Sequence, residues 1–305
     1  MQRFLVQRLI ITLVTLVVVS VIVFVMARAS GDPRGLLLDD YAGPDQWEKL
    51  GEKLGLNKPL YQQYWIFLKD AFRGDFGESV REKRPVMELI KDPLLATFEL
   101  GIAAFILSLI VGVPLGVLSS VKRNSLWDQV GKVVALLGQS LPPFWLGIML
   151  IFFFAVKLGW VPASGREGWS SIVLPAITLG WFFVAANLRL VRSAMLDVLD
   201  SEYIKLARAK GVSTTVIIWK HALRNALIPP LTYMGITLGA AITGSLIAEV
   251  VFAWPGIGRL AVSAMYYSDY SLLQGIVIIF TVLYLAVSLL VDVLYAYVDP
   301  RIRYT

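Results

Sequence analysis

The residue types that could do chemistry in this chain are few, which narrows the reactions open to it. The sequence contains no cysteine and a single histidine, His221. It therefore has no thiolate nucleophile or ligand, and one imidazole leaves no room for a multi-histidine metal site. An intramembrane hydrolase would need a nucleophile beside a base, yet His221 lies in a basic segment between two apolar runs. We expect His221 to be a surface or docking residue and the chain to hold no metal.

The carboxylates closest to the apolar runs lie at the edges of those runs. Glu99 begins the second run, Glu249 ends the fifth, and Asp292 lies near the end of the sixth. An ionisable residue inside a membrane is a functional hypothesis by default, but a carboxylate at an edge can reach interfacial water. No run has an acid near its middle. This distribution argues against a proton-coupled carrier.

The stretch GQSLPPFWLG, residues 138–147, places two prolines in the middle of the third run. Pro142 and Pro143 remove backbone donors and must kink or break a helix. Gln139 and Ser140 either line a polar path or satisfy the carbonyl groups that the prolines leave unpaired, and both interpretations stay open. The candidate polar residues of a pathway are Gln139, Ser140, Asn187 and Thr243.

Composition assigns the chain to helical membrane proteins. Of its 305 residues, 57% are hydrophobic and 16% are charged, against about a quarter charged in soluble domains. Six long apolar runs match the roughly 17–25 residues that a helix needs to cross a bilayer. Continuous rather than alternating hydrophobicity indicates helices, not a barrel. The predicted spans are Leu9–Ala27, Leu100–Val121, Val133–Val156, Ile172–Leu188, Leu231–Ala248 and Leu272–Val291.

Charge asymmetry sets the predicted orientation and domains. Both ends of the chain and the segment 202–230 are basic, so the positive-inside rule places all three in the cytoplasm. We expect a retained N-terminal span at 1–29, an extracytoplasmic loop region at 30–95 and a transmembrane domain at 96–305 with a cytoplasmic loop at 193–230. Apolar residues at helical spacing predict ordered helices around Trp47 and Tyr64, and Pro85 predicts a short helix over 86–90.

The basic segment, residues 202–230, reads EYIKLARAKGVSTTVIIWKHALRNALIPP. We expect a helix over 202–210 that ends at Gly211, because glycine adopts the left-handed conformation without strain. Ser213 is a typical N-cap for a second helix, with Val216, Trp219, Leu223 and Ala226 on its apolar face. The charge alone would suit anionic lipid or a solvated connector. A hinged pair of helices favours docking into a groove on another protein.

These stretches resemble one known family in the same order along nearly the whole chain. YIKLARAKG and KHALRNALIPP resemble the cytoplasmic loop of permeases of ATP-binding cassette (ABC) importers, in particular the dipeptide/oligopeptide/nickel family. The similarity extends through MQRFLVQRL, GDP (31–33), LGLNKPLYQQYWIFL, GDFGES, TFELGIAAFILSLIVGVPLGVLSS, QSLPPFWLG, LPAITLG, EVVFAWPGIGRL and DPRIRY. The loop departs from the general Glu-Ala-Ala pattern, since Lys205, Leu206 and Arg224 stand where Glu, Ala and Pro are typical.

The resemblance implies an all-α fold of type I importer permeases with six transmembrane helices. It implies a second homologous permease, two ABC ATPases that bind ATP and Mg²⁺, and an extracytoplasmic substrate-binding protein, in a bacterial or archaeal plasma membrane. No nucleic acid and no cofactor in this chain are expected. The implied ATPase-docking residues are Tyr203, Lys205, Ala207, Arg208, Ala209, Lys210, Gly211, His221, Arg224 and Asn225. The implied pathway and gate residues are Gln139, Ser140, Pro142, Pro143, Asn187, Thr243, Glu249, Trp254, Pro255, Gly256, Gly258 and Arg259.

Three functional hypotheses follow. The first is a non-catalytic permease subunit of an ATP-driven importer, with dipeptides or oligopeptides as its solutes and glutathione, nickel complexes or oligosaccharides as alternatives. The second is an ion-coupled secondary carrier, and the third is a membrane enzyme. The chain has no Gly-x-x-x-x-Gly-Lys-Ser/Thr phosphate loop, so an ATP-driven pump would depend on partner ATPases.

Overall fold

The structure is a computed structural model that describes residues 2–29, 34, 43–53 and 55–298. The GDP and DPRIRY motifs lie outside the described residues. Helices dominate: α1 Gln2–Ala29, α2 Pro44–Lys53, α3 Leu60–Phe72, α4 Val86–Val121, α5 Leu126–Ser140, α6 Pro143–Leu150, α7 Val173–Leu199, α8 Glu202–Ala209, α10 Ile228–Thr243, α11 Leu246–Val251, α12 Ile257–Tyr266 and α13 Tyr270–Val298. Between α8 and α10, α9 (214–226) joins Thr214–Val216, a π-helix Ile217–Ala222, and Leu223–Ala226.

Five stretches in the described part of the chain are long and apolar enough to cross a bilayer, and a bent pair makes a sixth if it counts as one span. They are Val6–Ala29, Val86–Val121, Trp169–Leu199, Ile228–Val251 and Tyr270–Val293. The predicted helical membrane fold is thus confirmed, with longer helices than the apolar runs alone indicate. The prediction of a separate short helix over 86–90 is wrong, because these residues are the first turns of α4, which continues unbroken for 36 residues.

The third predicted run is two helices rather than one. α5 ends at Ser140, α6 begins at Pro143, and the pair bends by 110°. Neither proline can donate a backbone hydrogen bond, and Pro143 takes the first position of α6, where a missing donor costs least. α6 then passes into a π-helical turn, Ile151–Lys157. The expected break at the proline pair is therefore present.

One compact unit comprises Thr97–Pro255 and the described residues from Leu290. α7 is its central helix: 67% of the most apolar stretch of Trp169–Leu199 is buried, against 11–44% in the four other single spans of the described residues. Glycines allow the close approach of α4, since a Cβ at Gly116 would lie 2.8 Å from the Leu188 carbonyl oxygen and one at Gly112 would lie 2.9 Å from that of Val184. Lipid chains are as apolar as the side chains, so the hydrophobic effect does not drive helices together within a bilayer. Small residues let the helix backbones approach closely enough for van der Waals packing to hold them together.

The other compact unit comprises 2–96 and 256–289. Its core is an apolar cluster whose buried members are Val86, Ile90, Ile257, Ala264, Leu272 and Ile276. The buried carboxylate of Asp269 accepts a hydrogen bond from the Ser79 hydroxyl at 2.5 Å and caps α13 through the Leu272 amide at 3.1 Å. The helices expected near Trp47 and Tyr64 are α2 and α3, and the Tyr64 hydroxyl bonds Ser20 of α1 at 2.8 Å.

The close packing of α4 on α7 predicts that Gly116→Ala is destabilising. The added methyl group would overlap the Leu188 carbonyl and the Val191 side chain, and overpacking typically costs about 1–3 kcal/mol. Thermal unfolding of the detergent-solubilised protein should show a lower midpoint for this variant. Gly168→Ala is the matched control, because nothing lies within 4 Å of a Cβ there. Equal midpoints for the two variants would contradict the proposed packing.

Candidate functional site

The basic segment folds as two short helices joined at a glycine. α8 ends at Ala209, and Gly211 follows with φ of 76°, the left-handed conformation that the sequence predicts. Space around Gly211 is open, with nothing within 4 Å of a Cβ placed there. The residue is therefore glycine for its backbone angle alone. Ser213 is the N-cap residue of α9 in extended conformation, as the sequence predicts, although its side chain makes no capping hydrogen bond.

The buried face of α9 differs from the expected one. Ile217, Ala222 and Ala226 are buried, whereas Val216 and Trp219 are 40% and 57% exposed. The physical reason is the π-helix over Ile217–Ala222, whose wider turn shifts every later side chain relative to α-helical spacing. Simple α periodicity therefore assigns Val216 and Trp219 to the wrong face. Leu206 of α8 is also 56% exposed, which leaves apolar side chains on the surface of a charged segment.

Both helices of the basic segment rest on the core of the unit. Ile204 of α8 is fully buried and belongs to a cluster that includes Val191 and Met195 of α7, Val117 of α4 and Met234 of α10. Ile217, Ala222 and Ala226 of α9 belong to the same cluster. A displacement of α8 or α9 therefore acts directly on the ends of three spans, since packed interiors transmit strain.

Three sequence-predicted residues meet where α8 touches α9. The Asn225 side-chain amide donates to the Tyr203 hydroxyl at 2.9 Å and to the His221 carbonyl at 3.1 Å. The His221 imidazole itself is not among the groups that make these bonds. These contacts tie the two helices together across the glycine turn.

The basic side chains of the segment lie mostly at the surface. Lys205 pairs with Glu202 at 2.7 Å, an exposed contact of small energetic value. Arg208, Ala209, Lys210 and Arg224 are exposed, and Ala207 is half-buried against the core cluster. The surface of the segment combines positive charge with exposed Leu206, Val216 and Trp219. Such a surface suits contact with another protein better than contact with water alone.

The proline break forms one wall of a pocket of about 330 Å³, here called the proline pocket. Four of the predicted pathway residues line it together with residues of α7. Its lining residues are Gly138, Gln139, Ser140, Leu141, Pro142, Pro143, Leu146, Thr178, Trp181 and Phe182. The side-chain oxygen of Gln139 accepts a hydrogen bond from Arg189 of α7 at 3.0 Å. Thr178, Trp181 and Arg189 were missed by the sequence reasoning.

Asn187 and Thr243 do not line the proline pocket. Asn187 is fully buried and donates to the Ser108 hydroxyl of α4 at 3.1 Å. The Thr243 hydroxyl donates to the Gly239 carbonyl one turn earlier in its own helix, at 3.0 Å. The Thr243 hydroxyl and the Asn187 amide nitrogen therefore have partners in this conformation, whereas the Asn187 amide oxygen is buried without one.

Glu249 is fully buried, contrary to the expectation that a carboxylate at a span edge reaches interfacial water. One of its oxygens accepts from the Thr97 hydroxyl at 2.7 Å and from the Ser245 hydroxyl at 2.5 Å. Ser245 lies in the interruption between α10 and α11, so the carboxylate joins this break to α4. Buried carboxylates persist only where hydrogen bonds satisfy them.

A turn at Trp254, Pro255 and Gly256, here called the WPG turn, follows α11. Trp254 is only 1% exposed, and its amide donates to the Glu249 carbonyl at 2.8 Å. The Arg166 guanidinium lies 5.9 Å from the Trp254 ring and forms a two-point pair with Glu99 of α4, at 2.9 and 2.5 Å. Pro255 is exposed. In the other unit, Gly256 and Gly258 are buried and Arg259 is exposed at the start of α12.

A buried carboxylate close to the basic segment was also missed. Asp128, at the start of α5, is fully buried and accepts from Arg192 of α7 at 2.9 Å and from the Ser119 hydroxyl of α4 at 2.8 Å. The exposed Lys132 ammonium lies 2.9 Å from its second oxygen. Asp128 therefore joins the ends of α4, α5 and α7. No sequence signal pairs residues that are 64 positions apart.

The described chain has apolar spans around a central helix, one pair of helices broken at two prolines, and two short basic helices packed on the core. These features define the class as helical multi-pass membrane proteins. A chain of the MetNI methionine ABC transporter in inward-facing conformation superposes with a TM-score of 0.60 and 22% identity, covering 70% of this chain and 97% of that chain. This likeness supports the predicted type I importer fold.

Sequence comparisons give the family. Models of the binding-protein-dependent transport system inner membrane component and of its N-terminal region match residues 112–304 and 1–101. The glutathione transport system permease protein GsiC of Escherichia coli (strain K12) is 39% identical over 305 residues, and the dipeptide transport system permease protein DppB of Alkalihalophilus pseudofirmus is 38% identical over 333. Both matches cover 100% of each chain. The chain belongs to this family and is the permease subunit of an ABC importer, a multi-pass membrane protein.

The two ion pairs of Asp128 lead to a prediction. Asp128→Ala would leave Arg192, whose side chain is 23% exposed, without its charge partner, and breaking a largely buried pair typically costs about 3–5 kcal/mol. Lys132→Gln removes the 55% exposed partner of the same carboxylate and should cost less than about 1 kcal/mol. Thermal unfolding in detergent would distinguish them. Similar losses in both variants would show that Asp128 does not join these helices as described.

Proposed function

We propose that this chain is the peptide-carrying permease of a binding-protein-dependent importer, with dipeptides or oligopeptides as its solutes. The observation that carries the proposal is the full-length similarity to a protein named as a dipeptide permease, DppB, at 38% identity. Similarity to GsiC, named as a glutathione permease, favours glutathione as the second candidate solute. Glutathione is itself a peptide with free carboxylates, so both candidates share one chemistry.

The importer would contain a second homologous permease, two ABC ATPases and an extracytoplasmic substrate-binding protein. ATP and Mg²⁺ would be held by the ATPases, and this chain would be a non-catalytic subunit. The sequence contains no phosphate-binding loop motif, which supports ATP binding by partner subunits rather than by this chain. We place it in a bacterial or archaeal plasma membrane with both termini and the basic segment in the cytoplasm. The concentration of Lys and Arg in the basic segment supports this orientation.

The basic segment would be the surface that the ATPases bind. ATP can bias a transporter between inward- and outward-facing states only through contacts that differ between those states. The exposed charges of Arg208, Lys210 and Arg224 and the exposed Trp219 supply such contacts. Ile204 and the buried face of α9 would pass the resulting displacement to α4, α7 and α10. The gate would lie among the proline break, the interruption between α10 and α11 that Glu249 bonds, and the WPG turn. It would belong to a domain at 96–305.

The first test is to purify the tagged protein from its native membrane in mild detergent and to reconstitute what co-purifies into vesicles. We expect a second permease and phosphate-loop ATPases, and uptake of a labelled dipeptide such as dialanine that requires both ATP and the binding protein. Recovery of this chain alone, with uptake that persists without ATP, would instead support an ion-coupled secondary carrier.

Gly211 gives a sharper test of the docking surface. Gly211→Val should impose about 1–2 kcal/mol of left-handed backbone strain and change the angle between α8 and α9, so ATPase co-purification and dipeptide uptake should fall several-fold. Gly211→Asn is the matched control, because asparagine tolerates this conformation and should retain both activities. Membrane levels of the two variants should match that of the unsubstituted protein, since nothing packs on position 211. Normal ATPase recovery with Gly211→Val would count against docking at this turn.

A further inference from the structure

The part of α4 that belongs to the same compact unit as α7 is joined to two other elements of that unit. On its buried side, the Thr97 hydroxyl donates to the Glu249 carboxylate of α11 at 2.7 Å, and both residues are fully buried. On its exposed side, the Glu99 carboxylate accepts two hydrogen bonds from the Arg166 guanidinium, at 2.9 and 2.5 Å. Arg166 belongs to the loop over 158–168, here called the outer loop. α4 is therefore linked both to α11 and to the outer loop.

The outer loop is also bonded to the end of α11. The Gly165 amide donates to the Phe252 carbonyl at 2.9 Å, and the Arg166 guanidinium lies 5.9 Å from the centre of the Trp254 ring. Phe252 and Trp254 are each 1% exposed. The outer loop, α4 and the end of α11 thus form a closed ring of contacts, in which Trp254 is packed shut.

The backbone inside this ring is strained at Ala253. Its φ is 48°, in the left-handed region that residues with a Cβ rarely adopt. Such a conformation costs free energy and persists only where the surrounding structure holds it, which is common in segments that switch between two conformations. The contacts of Phe252 and Trp254 on either side supply that restraint. Loosening them would therefore favour a different conformation of the turn.

The two carboxylate contacts of α4 differ in what it costs to break them. Separating Glu249 from its hydroxyl donors would leave a buried carboxylate without hydrogen bonds, which is expensive. The Glu99 and Arg166 side chains are 49% and 36% exposed, so water can replace each of them as a partner, and exposed ion pairs are worth little. Their two-point geometry still makes the pair specific. The Glu99–Arg166 pair is therefore the contact that can break and form again in each transport cycle.

We propose that Glu99 and Arg166 are a positioning pair, here called the outer latch, that holds Trp254 in its packed position and opens when the importer becomes outward-facing. The inference rests on the proposed function, which places the basic segment in the cytoplasm. α7 separates the outer loop from the basic segment, so the outer loop is then extracytoplasmic. A contact made in only one of two states biases the equilibrium towards that state. The outer latch thus opposes opening, and with it ATP hydrolysis, until the binding protein docks.

The first test measures ATP hydrolysis by the complete importer in vesicles, without and then with the binding protein. Glu99→Gln and Arg166→Gln should each raise hydrolysis in the absence of the binding protein roughly two- to fivefold, the factor that an exposed ion pair is worth. The exchange of Glu99→Arg with Arg166→Glu should restore the low rate, because the pair can form again. Glu88→Gln is the matched control, since it removes another exposed ion pair of α4, with Arg84, and should leave the rate unchanged.

A merely structural role would give a different pattern, because the thermal midpoint and ATP hydrolysis would then fall together in Glu99→Gln and Arg166→Gln. That result would overturn the proposal. Unchanged hydrolysis in both variants would also overturn it, as would a rise that the charge exchange does not reverse. An equal rise in Glu88→Gln would show that the loss of any surface charge on α4 has the same effect, and would count against the outer latch as well.

A reversible cross-link tests whether the outer latch must open. The chain contains no cysteine, so Glu99→Cys combined with Arg166→Cys can be joined by a short bis-methanethiosulfonate reagent. The cross-link should reduce dialanine uptake at least tenfold, and dithiothreitol should restore it. Each single cysteine variant, treated with the same reagent, is the control and should keep its uptake. Uptake that continues at the same rate in the cross-linked protein would overturn the proposal.

Failure of the proposed function has a different signature from failure of the outer latch. If the unsubstituted importer takes up glutathione but not dialanine, only the dipeptide assignment fails, and the cross-link is assayed with glutathione. If uptake by the unsubstituted protein needs no ATP, the importer assignment fails, and uptake before and after the cross-link still decides whether the outer latch opens. If the unsubstituted importer couples ATP to uptake and the cross-link has no effect, the outer latch alone is wrong.

Discussion

Close contact of backbones around α7 is the constraint on which the rest of this protein depends. In a bilayer, lipid chains compete on equal terms with apolar side chains, so helices associate through tight packing and a few polar bonds. Gly112 and Gly116 bring α4 against the carbonyls of α7, and Arg192 of the same helix holds the buried Asp128. Asn187 and Arg189 also project from α7. α7 thus packs against α4 and α5 and carries several of the polar contacts inside the unit.

The two functional surfaces use this helix in different ways. The basic segment follows the end of α7 directly and packs on its last buried turns through Ile204. The proline pocket lies against the N-terminal third of α7, where Thr178 and Trp181 line it beside the break between α5 and α6. α7 is largely buried, and packed interiors have low compressibility and transmit displacement. A push on the basic segment and a change at the pocket are therefore expected to be parts of one movement.

The sequence was sufficient to predict the fold class and the local breaks and turns of the backbone. Apolar runs located the spans, the proline pair located the break, and Gly211 located the turn in the basic segment, because each depends on residues that are close in the chain. The predicted apolar face of α9 was wrong at Val216 and Trp219, because the prediction assumed α-helical spacing and a π-helix changes that spacing. Nothing in the local sequence signals that change.

The contacts that join distant parts of the chain were beyond sequence reasoning. The burial of Glu249 depends on Thr97, which lies 152 positions away, and the Arg166–Glu99 pair spans 67 positions. In the sequence alone, a charged residue near the end of a span gives the same signal whether its side chain reaches water or pairs with a residue of another helix. The polar members of the proline pocket were therefore found only in part, since Gln139 and Ser140 adjoin the prolines whereas Thr178 and Trp181 come from α7.

The first span has a separate consequence for how the protein is made. Only 11% of the most apolar stretch of Val6–Ala29 is buried inside the protein, so its stability comes from lipid rather than from the later helices. Domains form progressively as a chain emerges from the ribosome, and this helix has what it needs to insert before any other span exists. Its side chains along Val6–Met26 are exposed along most of its length. This span would thus act as an autonomous anchor during biogenesis, and membrane thickness would act on it directly.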